Sequence, residues 1–409
     1  MTQNAFVLEG ALVVDGSGSD PKVCDVSTEG SLICGVGDCG SSVGNRLDLT
    51  GFTLLPGLID AHTHLGLAKS FDQITPLAVV AARVFQNCAL ALDAGFTTVR
   101  DLGGVDGGIV QAIEQGLVRG PRVLPSGSTI CQSGGHGDIR VPWRHPHEDP
   151  HGYPGLTVPP HPCDGPDAVR KSARTAFRRG ARQLKICLTG GLVSLSDEIE
   201  DLQMSTEEIE AAVSEATSRS SYVTAHAHTS DGILKGLAGG IRCFEHGSFL
   251  NKSAAVALVA AKADLVPTLA ATYLMKKHWA EWGMSASMIV RVDEVIEASK
   301  SSIQVASETG VRLGLGSDLL GPNQSGRALE LFLRASICGP MEAIVAATKI
   351  NAAICGLADC GQIKEGMRAD LIAIDFNPLE SPEFWADPTR VRLVIQGGQI
   401  VKNTSFVNL

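Results

Sequence analysis

The feature that most constrains the fold is an alternation of short apolar runs with helix-like stretches through the middle of the chain. Runs typical of buried strands recur at 52–59, 96–101, 123–130, 183–188, 222–225, 243–245, 265–269 and 311–315. Helical periodicity fills most of the intervals, for example over 78–94 and 206–218. Eight such β/α units in about 300 residues favour an α/β fold, a closed (β/α)8 TIM barrel, over an open sheet. An open nucleotide-binding sheet would need a glycine-rich phosphate turn after its first strand, where residues 56–60 read Pro-Gly-Leu-Ile-Asp.

The two ends of the chain carry short strands and turns instead of helical periodicity. Alternating apolar residues mark strands near 5–13 and 32–36 at one end, and near 370–375 and 391–401 at the other. We therefore predict a small β-sandwich domain built from 1–55 and 361–409. The barrel domain would then occupy 56–360.

One stretch, about 134–165, has no periodicity and is rich in Pro, Gly and His. Unstructured loops of this length are usually functional or disordered. This one leaves the C-terminal end of the third predicted strand, where barrel active sites are built. Trp143 and Tyr153 are unusual in a solvated linker, so we predict a lid insertion and keep a disordered insertion as the alternative.

Composition excludes several classes of partner. The formal charge of −10 and the scattered Lys and Arg residues argue against nucleic acid. No apolar run reaches the ~20 residues that span a bilayer, and no secretory signal is visible, so no membrane partner is expected. The 11 cysteines are odd in number and irregularly spaced, which predicts a reducing, cytoplasmic location.

Two histidines one residue apart give the strongest chemical signal. His62 and His64 follow the first predicted strand, and residues i and i+2 of a strand point to the same side. Their imidazoles can therefore bind one metal ion. A single histidine would more often be a hydrogen-bonded core residue.

A lysine inside an apolar strand gives the second signal. Burial of Lys185 disfavours its charged form and leaves a neutral amine that can react. Beside two metals, such an amine can take up carbon dioxide as an anionic carbamate that bridges both cations. The alternative is a lysine whose stem packs while its ammonium group reaches solvent.

Other metal-ligand candidates end later strands. His226 and His228 follow the fifth strand, His246 the sixth, and Asp318 the eighth. Polar residues at the ends of several barrel strands are typical of catalytic sites. Taken alone, Asp318 would fit a helix N-cap equally well.

Together these residues resemble the amidohydrolase superfamily in its binuclear form with a carboxylated lysine. The resemblance covers nearly the whole chain, including the 56–60 lead-in and the closing 366–371 segment. It implies that two divalent metal ions, expected to be zinc, activate a water molecule. By resemblance, the metal ligands are His62, His64 and Asp318 for the more buried metal, His226 and His246 for the other, and carboxylated Lys185 as the bridge. Asp318 would also move a proton from the attacking water to the leaving nitrogen.

Three loop stretches narrow the resemblance, at 134–138, 189–191 and 226–228. They are similar to the branch of prolidase-like Xaa-Pro dipeptidases, ochratoxin-degrading amidohydrolases and imidazolonepropionase-like proteins. In that branch the residues matching His136 and His228 contact the substrate, although support of the metal ligands is an alternative role. The branch implies hydrolysis of a peptide-like amide bond in a small molecule, either an N-acyl amino acid or a dipeptide-like substrate. Its dipeptidase members favour a substrate with a free carboxylate next to the scissile amide. Its members often assemble, so a homo-oligomer is expected.

Substrate contacts outside the metal site are also predicted. Arg140 or Arg144, close after His136, would bind an anionic substrate group through the guanidinium fork, unless nearby acidic residues pair with them. Tyr273, Met275 and Trp279 would line an apolar pocket after the seventh strand, with helix packing as the alternative.

Two other functions remain open at this stage. The same metals could hydrolyse a cyclic amide, a urea or a carbamate in a differently shaped pocket. The chain could also be a non-catalytic barrel scaffold, although scaffolds usually lose metal ligands. Metal content separates these possibilities, because only the enzyme requires about two ions per chain.

Overall fold

The computed structural model describes residues 5–40, 42–67, 75–140, 143, 152–192, 194, 196–279 and 286–404. Across these ranges, no helix combines the length and the apolar character needed to cross a bilayer.

The two chain ends build one β-domain. Its strands are β1 (Ala5–Val13), β2 (Lys22–Glu29), β3 (Leu32–Gly37), β4 (Asn45–Asp48) and β5 (Thr53–Pro56), then β16 (Leu371–Ile374), β17 (Val391–Gln396) and β18 (Gln399–Asn403). They form one sheet in the order β18-β17-β16-β5-β1-β2-β3, with β4 on β1. The ends meet where β16 runs antiparallel to β5, with Ile372 opposite Leu55. Apolar residues of both ends share one core, which confirms the sandwich predicted from both chain ends.

Parallel strands between these ends close into a barrel. Its strands are β6 (Leu58–Thr63), β7 (Phe96–Asp101), β8 (Arg122–Pro125), β11 (Leu184–Cys187), β12 (Val223–Thr229), β13 (Cys243–Phe249), β14 (Asp264–Val266) and β15 (Arg312–Leu313), with β9 (Ile130–Cys131) and β10 (His161–Pro162) beside β11. The Arg182 amide donates to the Pro125 carbonyl at 2.8 Å and joins β8 to β11. The Ala61 amide donates to the Leu315 carbonyl at 3.0 Å and joins β6 to the end of β15. The predicted barrel is confirmed.

Helices cover the outside of this barrel. They are α1 (Leu77–Asp93), α2 (Gly107–Glu114), α3 (Pro166–Arg178), α4 (Thr206–Thr217), α5 (Ser230–Ala238), α6 (Lys252–Ala261), α7 (Leu269–Lys277), α8 (Ala286–Thr309), α9 (Leu329–Cys338), α10 (Pro340–Val345) and α11 (Asn351–Ile354). Short 3₁₀ helices lie at Gly321–Gly326, Pro382–Ala386 and Pro388–Arg390, and a π-helical turn at Ala346–Ile350. In α3, Val169, Ala173 and Ala176 are buried at helical spacing, so one face packs on the barrel.

The predicted run at 52–59 is divided between β5 of the β-domain and β6 of the barrel, and two further strands differ from the sequence prediction at their C-terminal ends. The run at 123–130 is divided into β8 and β9, because β8 ends at Pro125 and Gly127 turns the backbone at φ +72°. The run at 265–269 ends as a strand at Val266, and α7 begins at Leu269. Both C-terminal changes occur at the barrel mouth, where strands give way to the loops that build the site.

Candidate metal centre

The side chains singled out as metal ligands converge at one end of the barrel. They come from β6, β11, β12, β13 and the loop after β15, and all line a cavity of about 470 Å³: His62, His64, Lys185, His226, His246 and Asp318. Because parallel barrel strands end at the same rim, residues far apart in sequence meet there.

His62, His64 and Asp318 form the tightest part of the cluster. The Nε2 atoms of the two histidines are 3.2 Å apart. One carboxylate oxygen of Asp318 lies 3.3 Å from Nε2 of His62 and 3.2 Å from Nε2 of His64. Possible ligand atoms of His62, His246 and Asp318 all lie within 4.8 Å of one another, close enough to share a metal ion.

Hydrogen bonds select which nitrogen each histidine offers. Nδ1 of His64 contacts the Gly103 carbonyl at 2.8 Å, and Nδ1 of His246 contacts the Thr268 hydroxyl at 2.8 Å. Nε2 of His226 contacts the Gly190 carbonyl at 3.0 Å. The opposite nitrogen of each ring is left for a ligand, which is how outer contacts orient metal-binding histidines.

Lys185 supplies the direct test of whether the site fits a bridging metal ligand. Its side chain is 3% exposed, and within the described chain its Nζ has no hydrogen-bond partner. Burial lowers the pKa of the Lys185 ammonium, which favours the neutral amine. A buried, unpaired nitrogen is costly unless something else satisfies it. Metal ions and a carbamate at this position fit that requirement.

Two of the ligand residues adopt a left-handed backbone. The φ angle is 70° at His246 and 51° at Asp318. Such angles are uncommon for residues other than glycine, and they concentrate at functional sites. At His246 this conformation also interrupts the alternation of the strand, so the adjacent Glu245 and His246 both approach His62.

Glu245 and Arg100 form a buried ion pair beneath the cluster, and sequence reasoning missed both. Both side chains are 0% exposed, and Nη2 of Arg100 lies 2.7 Å from Oε1 of Glu245. The other Glu245 oxygen lies 2.8 Å from Nδ1 of His62. Arg100 also donates to the Ala61 carbonyl at 2.5 Å and to the Tyr222 hydroxyl at 3.1 Å. A charged residue inside an apolar strand, the signal used for Lys185, would have identified Arg100.

His136 and His228 lie beside the candidate metal ligands. The His136 ring stacks on His226 with centroids 3.9 Å apart, and the His228 ring is 4.9 Å from that of His246. Nδ1 of His136 contacts the Ser194 hydroxyl at 2.7 Å, and Nδ1 of His228 contacts the Ser248 hydroxyl at 2.9 Å. Burial lowers the pKa of His136 to about 4 and of His228 to about 3, so both are neutral.

The Gly-Gly pair after Lys185 makes room for these histidines. A Cβ atom on Gly191 would lie 2.1 Å from Nδ1 of His136. A Cβ atom on Gly190 would lie 1.9 Å from the Glu198 carbonyl, and the Gly190 carbonyl itself contacts His226. Only glycine permits these close approaches.

Of the residues predicted to contact the substrate outside the metal centre, the structure places Met275 in the cavity lining but not Arg140 or Tyr273. Arg140 contacts both carboxylate oxygens of Asp138, at 2.7 and 2.6 Å, and does not line the cavity. The alternative in which an acidic neighbour pairs with Arg140 therefore holds. Arg144 lies outside the described residues. The placement of Tyr273 in the pocket was wrong, because it is 43% exposed on α7 and does not line the cavity, whereas Met275 from the same prediction does line it.

Comparison with known proteins finds one matching family model and several similar proteins. Residues 53–401 match the model of the amidohydrolase family. The ochratoxinase of Aspergillus niger is 31% identical over 377 residues, covering 85% of this chain and 75% of that protein. A solved prolidase complexed with N-methylphosphonate-L-proline is 35% identical, with a TM-score of 0.90 over 98% of this chain and 100% of that one. A solved Xaa-Pro dipeptidase with bound methionine in its active site is 26% identical, with a TM-score of 0.86 over 98% and 100%.

Proposed function

The chain belongs to the amidohydrolase family, and we propose that it hydrolyses the peptide-like amide bond of an N-acyl amino acid or a dipeptide-like substrate. It is a metal-dependent amidohydrolase that acts on carbon–nitrogen bonds. The observation that carries the proposal is the buried nitrogen of Lys185, which has no hydrogen-bond partner among the described residues and lies in a cavity shared with the histidine and aspartate candidate ligands. A prolidase that binds a proline phosphonate and a Xaa-Pro dipeptidase that binds methionine support the substrate class.

The proposal distributes the ligands over two zinc ions. His62, His64 and Asp318 would hold one ion and His226 and His246 the other, and Lys185, once carboxylated, would be a ligand of both. Imidazole and carboxylate groups suit zinc as ligands. Bound at such a site, two divalent ions supply Lewis-acid polarisation of the substrate carbonyl and lower the pKa of water towards neutrality.

Asp318 is the proposed proton carrier. Burial raises the pKa of the Asp318 carboxyl, but electrostatic attraction to His62, hydrogen bonds to His62 and His64, and attraction to His246 together hold that pKa well below its usual range, so the group is a carboxylate. Its side chain is 19% exposed and lines the cavity. In the proposed mechanism it takes the proton of the attacking water and delivers it to the leaving nitrogen.

His228 is the proposed donor to the developing oxyanion. When the Ser248 hydroxyl donates to Nδ1 at 2.9 Å, the proton of the neutral ring lies on Nε2 and can be donated to the substrate. His136, whose Nδ1 pairs with Ser194, is the proposed contact for a substrate carboxylate.

Replacing His228 by alanine is expected to lower kcat by about 10²- to 10³-fold, as for the loss of an oxyanion donor. KM should change much less, because the hydrogen bond strengthens only in the transition state. Steady-state kinetics on the variant check this, with S230A, a substitution near the same strand end but outside the cavity lining, as the control. A variant with raised KM and unchanged kcat would assign His228 to ground-state binding instead.

A hydrolysis screen tests the function itself. We expect hydrolysis of N-acyl amino acids and dipeptides, loss of activity with a chelator, and recovery when about two zinc ions per chain are restored. Ureas, carbamates and cyclic amides belong in the same screen at equal concentration. Faster turnover of any of these three, or activity that survives removal of the metal, would refute the proposal.

A further inference from the structure

Beyond the candidate metal ligands, the walls of the cavity are apolar. The apolar lining comes from the loop after β6, the 134–140 stretch, the loop before β10, the loop after β11, α7 and the loop after Asp318: Leu67, Ile139, Pro160, Leu192, Met275 and Leu320. The part of a bound substrate that extends beyond the metal centre must contact this surface. Contact between apolar groups is favourable because it removes both from water.

The same cavity offers little charge to a substrate. Among the described residues that line it, the carboxylates and ammonium groups are those of Lys185, Asp318 and Asp138. The first two belong to the metal cluster, and Asp138 is held by two guanidinium contacts from Arg140. A charged substrate side chain placed here would lose its hydration without gaining a counter-charge.

Two apolar residues of this lining lie at different depths in the cavity. Ile139 is 38% exposed although it lines the cavity, so it presents an apolar side chain at the mouth. Met275 is 5% exposed, packs in a small cluster with Val292, and lines the cavity from α7. Ala271 lies one turn before Met275 and lines the cavity too, so this face of the helix borders the substrate space.

We infer, on the basis of the proposed amide hydrolysis, that the substrate group beyond the scissile bond is apolar and uncharged, and that Ile139 and Met275 select it. Ile139 contacts the group at the mouth, and Met275 limits its size deeper in the cavity. An aliphatic or aromatic side chain fits this wall, and an acidic or basic one does not.

Two matched series of dipeptides test the substrate class. In Xaa-Pro and Ala-Xaa, Xaa is alanine, leucine, phenylalanine, aspartate or lysine, so that either side of the scissile bond is varied. With the zinc-loaded enzyme, we expect kcat/KM for leucine or phenylalanine to exceed that for aspartate and lysine by about 100-fold or more in one series. Equal rates for charged and apolar members in both series would overturn the inference while leaving the amide hydrolysis intact. Hydrolysis of no amide at all would reject the proposed function and this inference with it.

Charge substitutions at Ile139 test the selecting residue. I139D and I139K are each expected to lower kcat/KM for the apolar substrate about tenfold, because both remove an apolar contact. I139D should shift the preference towards lysine and I139K towards aspartate, a reversal that a general loss of activity cannot produce. The controls are L117D and L117K, because Leu117 is 72% exposed and outside the lining.

Size substitutions on α7 provide an independent readout. M275A is expected to increase the ratio of kcat/KM for phenylalanine to that for alanine as Xaa, because the shortened side chain leaves more room. Y273A on the exposed face of the same helix should leave the ratio unchanged. Unaltered preferences in I139D, I139K and M275A, in variants whose circular dichroism matches that of the parent protein, would overturn the inference.

Discussion

The E245L variant is expected to be destabilised by about 3–5 kcal/mol, because it leaves the Arg100 guanidinium buried without its anion. The same substitution should weaken zinc binding about 10- to 100-fold, the usual cost of removing the group that orients a metal-binding histidine. Nδ1 of His62 would lose the carboxylate that lies 2.8 Å away. Urea denaturation measures the first effect, and competition with a chromogenic chelator measures the second.

A double variant separates the two consequences. R100M/E245L removes the unpaired charge, so it should recover most of the free energy of unfolding that E245L loses. Its zinc affinity should stay low, because His62 still lacks its partner. E9L is the matched control: Glu9 and Arg46 form an exposed ion pair, with side chains 36% and 42% exposed, and such pairs contribute little. Normal zinc affinity in E245L would show that the ion pair is only structural.

The K185A variant is expected to lose at least about a thousandfold in kcat/KM. The metals supply several kcal/mol of transition-state stabilisation, and about 1.4 kcal/mol corresponds to a factor of ten. Without the proposed bridge, fewer than two zinc ions should be retained per chain after dialysis. Steady-state kinetics and elemental analysis of the dialysed protein provide the two measurements.

Rescue experiments identify the chemical group that Lys185 supplies. A small carboxylic acid such as acetate or propionate should restore part of the activity of K185A, because it can occupy the space of a carbamate between the metals. Bicarbonate should increase the activity of the parent protein reconstituted in buffer free of carbon dioxide. K252A, which removes an exposed lysine of α6, should behave like the parent protein in every assay. Full activity and two zinc ions in K185A would contradict the proposed bridge.

Much of the fold, and the place where the candidate metal ligands meet, could be predicted because both depend on local regularity. A strand ends where its apolar run ends, and parallel barrel strands end at a common rim. The barrel rim was therefore the expected meeting place of His62, His64 and Lys185. The two histidines occupy positions i and i+2 at one strand end, and the lysine lies inside another buried strand. The family match over 53–401 and the barrel and sandwich architecture agree with that reasoning.

Other features depended on backbone angles and side-chain partners that no local pattern contains. The alternation of strand residues places Glu245 away from His246, but the φ angle of 70° at His246 brings both towards His62. Arg140 could have faced a substrate or Asp138, and the described contacts put it on Asp138. Tyr273 and Met275 are both plausible pocket residues in sequence, and the rotation of α7 against its neighbours decides between them.

The sequence by itself determined the barrel, the joining of both chain ends in one sandwich, and the set of metal-ligand candidates, because hydrophobic periodicity and strand ends are encoded over a few residues. Only the tertiary structure decided which nitrogen each histidine offers, how Arg100 and Glu245 support the centre, and which apolar residues border the substrate. Those features arise from contacts between residues as far apart as Arg100 and Glu245, so they exist only once the barrel has closed.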